Sequence, residues 1–406
     1  MVNVIGLGYI GLPTALMLAS HGVEVVGTNH SQEKVDKLRK GITTFEEEGL
    51  DELVQEAIAK GIKFTTEYQT ADIYIVSVQT PYDGFTKKID MSYVNSAIDD
   101  VLKVAPKGAI IVIESTVSPG SIDTYVRPHI TEMGYTIGED LFLAHAPERI
   151  IPGNMIKELL HNNRTIGADE EWVGEKIKDL YASFCQGEIV ITDIKTAEMT
   201  KVIENTFRCV NIAFANELAK ICRHDGMDVY KVIDICNMHP RVNILKPGPG
   251  VGGHCIPVDP WFLVGDYPSL TKVIGESLKV NESMPEFVLQ RIYEIMREKN
   301  ITDTSRIGLY GLTFKENVDD YRDSPALQLL ECQRKHLAKC LKSYDPYLKK
   351  DIVENQYHDF DEFIKDIDFV VVLVKHDEII NNMDKLSGKV VLDCHNVIDL
   401  PGVYHI

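Results

Sequence analysis

Short, largely apolar runs without polar alternation, separated by longer stretches with helical spacing, dominate both ends of this chain. Near the start, residues 2–5 read as a strand that enters a glycine turn and then a helix with apolar periodicity through Ala19. Further strands follow at residues 23–27, closing at Thr28 and Asn29, at 72–78, at 109–113 ahead of Glu114-Ser115-Thr116, and at 141–144. The C-terminal part repeats the plan: 306–310 meets Gly311, 369–374 mirrors 72–78, and 390–392 mirrors 109–113. A strand without alternation is one buried on both faces, and strands alternating with helices wind a parallel sheet. The pattern predicts an α/β chain of two Rossmann-like, doubly wound parallel-sheet domains.

Between them, residues 196–222 carry apolar and small residues at helical spacing without a proline, and a second helical stretch is expected at 286–299, just after Pro285. A long central helix joining two α/β domains commonly serves as both spine and subunit contact, so a homodimer or higher homo-oligomer through it is expected. Ligands of open α/β sheets bind beyond the strand ends, which puts the expected active site in the cleft between the sheets.

Composition narrows the function classes. The chain has 406 residues and a formal charge of −19, which argues against a nucleic-acid partner. Its apolar runs are far short of a membrane span, so no membrane insertion is expected. Met1 leads directly into the first strand with no room for a signal peptide, and cytoplasm is the expected compartment. The eight cysteines (185, 209, 222, 236, 255, 332, 340 and 394) form no C-x-x-C pair, which fits neither a disulfide framework nor a zinc site, and no metal is expected. All but Cys255 are expected to be buried structural thiols.

Two local patterns carry chemistry. Gly6-x-Gly8-x-x-Gly11 stands between a strand and a helix, the setting in which such a turn places a dinucleotide pyrophosphate on a helix N-terminus. The ribose acceptor should close the second strand, where Asn29 stands in place of the usual Asp or Glu; NAD is expected, since no arginine follows to clasp a 2′-phosphate, although Lys34 is near. The second pattern is residues 248–260, where Cys255 follows a glycine-rich loop and precedes Asp259 by four. Glycines let backbone approach a ligand, so the loop suits a nucleophilic thiol. A redox cofactor beside a thiol nucleophile points to oxidation through a covalent intermediate.

On the central helix Lys201, Asn205 and Arg208 share a face, either as a solvated stripe or as a cluster facing the cleft. Glu148 and Arg149 follow the strand at 141–144, and Lys315 and Arg322 follow the strand at 306–310, at sheet edges where active-site groups collect, although by themselves Lys315 and Arg322 read equally well as surface charges.

Taken with Tyr9-Ile10, Thr80-Pro81, Pro147-Glu148-Arg149, Asn216-Glu217-Leu218, Gly311-Leu312-Thr313-Phe314-Lys315 and Asp319-Asp320-x-Arg322-x-Ser324-Pro325, these motifs resemble the UDP-glucose/GDP-mannose dehydrogenase family over essentially the whole chain. His239-Pro240-Arg241-Val242-Asn243 and His161-Asn162-Asn163-Arg164 favour the branch acting on UDP-N-acetyl-D-mannosamine over the N-acetylglucosamine one, and His254 and Val258 stand where UDP-glucose enzymes carry Ser and Lys. The resemblance implies an NAD-binding domain at residues 1–190, a central helical domain with the cysteine loop at 191–300, and a UDP-binding domain at 301–406.

It further implies that Cys255 is the nucleophile and Lys201 a proton donor or acceptor, with Asp259 or Glu148 positioning water and Asn205 supporting an oxyanion. Arg149, Ile150, Lys201, Asn205, Arg208, His239, Arg241, Gly252, Phe314 and Lys315 would hold the UDP-sugar. Gly6, Gly8, Gly11, Tyr9, Ile10, Asn29, Thr80, Thr116 and Arg322 would meet NAD. The implied reaction is a four-electron oxidation at C6 through a thiohemiacetal and a thioester. A single-step hydroxyacid or sugar dehydrogenase, the UDP-glucose or UDP-N-acetylglucosamine 6-dehydrogenases, and an inactive nucleotide-sugar binding protein are the competing readings.

Overall fold

The computed structural model describes residues 1–336 and 341–406, so Cys340 lies outside the described residues. The chain divides into two compact units, Met1–Glu204 with Gly265–Tyr267, and Asn205–Val264 with Pro268–Ile406. The boundary between Glu204 and Asn205 falls within the helix Ile194–Asp225.

The first unit holds eight strands: β1 Val2–Ile5, β2 Val25–Thr28, β3 Lys63–Thr65, β4 Ile73–Val76, β5 Ala109–Ile113, β6 Leu141–His145, β7 Arg164–Ala168 and β8 Ile189–Thr192. Their order is β3-β2-β1-β4-β5-β6-β7-β8, so the winding reverses between β1 and β4. Every residue of β1, β4 and β5 is buried, as strands covered on both faces require, and the one amide among them, Asn3, donates to Val26 O at 3.0 Å and Thr28 Oγ1 at 2.8 Å. The sheet departs from the expected all-parallel arrangement at one place, because β6 and β7 pair antiparallel, with Ala144 opposite Ala168 and His145 opposite Gly167. No crossover is made there, and β7 starts at the edge where β6 ends. That reversal sets Arg164 beside Glu148.

The second unit holds β9 Ile307–Tyr310, β10 Lys342–Tyr344, β11 Gln356–Tyr357, β12 Phe369–Val372, β13 Val390–Asp393 and β14 Tyr404–His405, all parallel in the order β11-β10-β9-β12-β13-β14. Its strands feed two cores by alternation: Ile307, Leu309, Phe369 and Val371 join one cluster, and Tyr310, Val370 and Val372 the other. The helix Met284–Glu298 covers the first of these with Met284, Val288, Leu289, Ile292 and Ile295. It starts before Pro285 rather than after it, since proline suits the first helical turn, where its missing N–H costs nothing.

The two sheets reverse in the same way and mark the reversal with the same device. Gly6 follows β1 with φ +91°, and a Cβ there would lie 2.3 Å from Ser77 O beyond β4. Gly311 follows β9 with φ +89°, and a Cβ there would lie 2.5 Å from Val374 Cβ beyond β12. Glycine is required at both for the same reasons, a left-handed backbone and a close approach at the switch point.

Candidate active site

In the first unit the chain folds the cofactor turn as its spacing predicts. A Cβ at Gly11 would lie 2.0 Å from Gly6 O, which closes the turn on the helix Gly11–Ser20. At Gly8 a Cβ would meet nothing within 4 Å. Protein packing therefore does not demand glycine at that position, and the bare backbone is left for a ligand to approach. Tyr9 stacks on Phe45 at 4.4 Å between ring centres, and Ile10 is half-buried against the same core. Beyond β4 and β5, Thr80 donates to Thr116 O at 2.7 Å, so these two predicted residues meet.

Asn29 is buried beyond β2, where its Oδ1 accepts the Ser31 N–H at 2.9 Å. Ser31 in turn caps the helix Gln32–Arg39, on which Lys34 is exposed. The side-chain carbonyl of Asn29 is thus held by its own turn.

At the edge shared by β6 and β7, the buried Glu148 carboxylate pairs with the buried Arg164 guanidinium and also accepts the Arg149 N–H at 2.6 Å. Arg164 lies over the Tyr181 ring at 4.4 Å. Arg149 bonds Glu204 at 2.7 Å, Asn163 O at 2.5 Å and Thr165 Oγ1 at 3.0 Å. The Ile150 side chain is buried in the hydrophobic core of this unit, so its backbone is what it has to offer a ligand. Nearby Glu114 accepts from Thr14 at 3.2 Å and Tyr181 at 2.9 Å. Burial, then the Glu148 carboxylate, push its pKa up to about 7 against the pull of Arg164.

The central helix splits the predicted face. Lys201 and Asn205 are buried while Arg208, a turn further on, is exposed, so the solvated-stripe reading fits only Arg208. In the second unit Asn205 Nδ2 donates to Asp259 Oδ2 at 2.6 Å, and Asp259 N donates to Cys255 O at 2.8 Å. Cys255 thereby opens the turn that winds into the helix Asp259–Asp266. Its thiol belongs to an exposed residue and forms no disulfide. Cys236 is exposed as well and Cys332 intermediate, while Cys185, Cys209, Cys222 and Cys394 are buried, so the expectation of burial fails for Cys236, the last residue of the helix Val229–Cys236.

The glycine loop before Cys255 is seated against the loop after β9. A Cβ at Gly252 would lie 2.6 Å from Phe314 Cβ and one at Gly253 2.9 Å from the Phe314 ring. Gly253 N also donates to Arg322 O at 2.9 Å, and Arg322 pairs with Asp320 at 2.6 Å. Gly252 and Gly253, just before Cys255, are therefore neighbours of the Phe314 side chain and, at Gly253, of the Arg322 backbone. His239 and Arg241 are exposed on the preceding loop, where Arg241 N donates to His239 Nδ1 at 3.3 Å.

Two parallel-dominated sheets, a cofactor turn on one and a cysteine loop seated on the other match a single family along the chain. Its NAD binding domain matches residues 1–185, its central domain 195–283 and its UDP binding domain 308–400. The chain belongs to the UDP-glucose/GDP-mannose dehydrogenase family. It is an NAD-dependent UDP-sugar dehydrogenase.

Among relatives of this dehydrogenase, the UDP-N-acetyl-D-mannosamine dehydrogenase of Methanocaldococcus jannaschii is 40% identical over 98% of this chain and 92% of its own. An NDP-N-acetyl-D-galactosaminuronic acid dehydrogenase of Ralstonia nicotianae is 38% identical over 97% and 95%. The solved structure of the UDP-N-acetyl-mannosamine dehydrogenase of Staphylococcus aureus superposes with a TM-score of 0.89 at 40% identity, covering 100% of this chain and 97% of that one. No helix among the described residues is long and apolar enough to cross a membrane.

Several residues of the dehydrogenase that shape the site carry no signal in local spacing. Asn216 Oδ1 accepts the Gly248 N–H at 3.0 Å, at the start of the cysteine loop, and its Nδ2 donates to Asn281 Oδ1 at 2.9 Å. Asn211 and Asn237 hold the segment before it through Asn243 O and Ile244 O, each at 2.9 Å. The buried Asn216, whose partners lie 32 and 65 residues away, looks like any other asparagine until the fold is known.

Proposed function

We propose that this enzyme oxidises C6 of UDP-N-acetyl-D-mannosamine to the carboxylate, giving UDP-N-acetyl-D-mannosaminuronate, with Cys255 as the covalent nucleophile. The sugar assignment is supported by relatives of that name at about 40% identity over nearly the whole chain and by the runs at 161–164 and 239–243. The mechanism is supported by one local arrangement, in which Cys255, Asp259 and Asn205 are linked in sequence by two hydrogen bonds.

When bound, NAD accepts one hydride, so a four-electron oxidation of a primary alcohol consumes two per sugar. Lys201, or a water it holds, takes the hydroxyl proton as the alcohol becomes an aldehyde. The Cys255 thiolate then adds to the aldehyde carbon and forms a thiohemiacetal, whose C–H is a far better hydride donor than that of the aldehyde. Loss of the second hydride leaves a thioester on Cys255. Water positioned by Asp259 or Glu148 attacks the thioester, the C–S bond breaks, and carboxylate and thiol are released. Lys201 and the second N–H of the Asn205 amide stabilise the oxyanion.

The bare backbone at Gly8 suits the NAD pyrophosphate, with Tyr9, Ile10, Thr80 and Thr116 at the same edge. The UDP-sugar is held by Arg149, Ile150, Arg208, His239, Arg241, Gly252, Phe314 and Lys315, and Arg322 reaches NAD. Two chains associate through the central helix. Phe207, Phe214 and Ile221 are 65%, 49% and 54% exposed and recur every seven residues, which keeps them in one apolar stripe.

The deciding experiment is an NADH assay over UDP-sugars that include the N-acetylmannosamine, N-acetylglucosamine, N-acetylgalactosamine and glucose forms, with the acid product counted. Two NADH per acid with UDP-N-acetyl-D-mannosamine as the best substrate is expected. One NADH per sugar would overturn the mechanism, and a different preferred sugar the assignment.

A further inference from the structure

At the C-terminal edge of the second sheet, three adjacent strands deliver a buried polar cluster that the reaction does not use. Asp345 follows β10, Thr313 follows β9 and His376 lies four residues beyond β12, and all three side chains are buried. Asp345 sits at the end of the strand corresponding to β2, where the first sheet has Asn29. It is turned inward instead. Its Oδ2 accepts Leu312 N at 2.7 Å and Thr313 N at 3.0 Å, and its Oδ1 accepts Tyr347 N at 2.9 Å.

His376 completes the cluster from the other side. Its Nδ1 accepts the Asn317 backbone N–H at 2.9 Å, and its Nε2 lies 3.2 Å from Asp345 Oδ2 and 3.3 Å from Thr313 Oγ1. A ring nitrogen that accepts an amide N–H carries no proton, so the imidazole is neutral with its proton on Nε2, facing Asp345 and Thr313. Asn317 is held in the left-handed region at φ +57°, with its Oδ1 accepting from Asp377 N at 3.1 Å and Tyr347 OH at 3.2 Å. The segment between, Phe314 to Glu316, is thus fixed at both ends, and the Thr313 hydroxyl also donates to Lys315 O at 3.0 Å.

We propose that His376, by accepting the Asn317 N–H at Nδ1, is the positioning residue of the loop that presents Phe314 and Lys315 to the nucleotide-sugar, while its Nε2–H toward Asp345 and Thr313 fixes the tautomer. The proposal rests on the reading of Phe314 and Lys315 as substrate residues. Because Phe314 also abuts Gly252 and Gly253, the same clamp sets the seat of the Cys255 loop.

The two halves of the clamp are separable by isosteric substitution. An asparagine amide oxygen reaches the place of Nδ1, whereas a glutamine amide nitrogen reaches the place of Nε2. His376→Asn keeps the acceptor for Asn317, and its affinity for UDP, measured by calorimetry, is expected within about threefold of wild type. His376→Gln keeps the donor to Asp345 but leaves Asn317 N–H without its acceptor, so UDP affinity falls about tenfold and the KM for UDP-N-acetyl-D-mannosamine rises alike, while the KM for NAD holds.

Equal behaviour of the two variants would reduce His376 to a packing residue and overturn the proposal. Lys315→Ala tests the underlying reading separately: unchanged UDP affinity there would remove the substrate role of the loop itself. If either His376 variant fails to fold, the wild-type enzyme with 15N-labelled histidine decides, since the inference requires the neutral Nε2–H tautomer for His376 at pH 7, and an Nδ1–H or charged ring would overturn it.

Discussion

Asn205 donates a 2.6 Å hydrogen bond to Asp259 from a position 54 residues earlier in the chain, and both side chains are buried. One N–H of the amide is thereby committed to the carboxylate, and the carboxylate is oriented by it. Removing either partner leaves the other buried and without this bond, so Asn205→Ala and Asp259→Ala are each expected to lower kcat by about a hundredfold. The double variant should be little worse than the poorer single one, with a coupling of about 1.5–3 kcal/mol, the range for a hydrogen bond to a charged group. Additive losses in the cycle would mean that the two act separately.

Cys255→Ser is expected to abolish formation of the acid while the fold and NAD binding persist. Serine is a much weaker nucleophile than a thiolate at neutral pH, so the reaction should stop after the first hydride and an aldehyde-level species should accumulate. Rapid-quench analysis of the sugar product is the check. Acid formation at the wild-type rate would rule out the covalent route.

Asn29 bears on cofactor strictness. With its Oδ1 held by Ser31 N, it presents N–H donors where a carboxylate would repel a 2′-phosphate. NADP is therefore expected to be used measurably but less well than NAD, and Asn29→Asp should sharpen the preference for NAD. The comparison is kcat/KM for both cofactors in both proteins; an NAD/NADP ratio unmoved by the substitution would show that this side chain does not read the ribose.

Glu114 gives a pH dependence of stability. Its folded pKa of about 7 lies above the ordinary carboxylate value of 4.5, so between these the native state binds the extra proton and its stability falls as pH rises, with no further loss above about 7. Glu114→Gln removes this penalty and keeps an oxygen for Thr14 and Tyr181. The variant should gain thermal stability relative to wild type between pH 4.5 and 7 and hold that gain at pH 8. A difference in melting temperature that is the same at pH 5 and pH 8 would exclude buried ionisation of Glu114 as its cause.

The chain's own pattern determined the parts of this protein whose causes are local. Apolar strands marked both sheets, and Gly6, Gly8 and Gly11 marked the cofactor turn, because their spacing between a strand and a helix lies in one short stretch of chain, where Gly11 closes on Gly6 O. The central helix was legible from its spacing, although it runs two residues further at one end and three at the other than the expected 196–222, since helix ends are set by what they pack against.

What tertiary structure alone decided are pairings between distant residues. The reversed β7 brings Arg164 to Glu148, the start of the helix at Asp259 brings that carboxylate to Asn205, and three strand ends bring Asp345, Thr313 and His376 together. Burial of Lys201 and Asn205 but not Arg208, and exposure of Cys236, were decided in the same way. Periodicity says which residues share a face of one element; which charge or amide meets that face depends on the order and direction of strands far along the chain, and no local pattern records it.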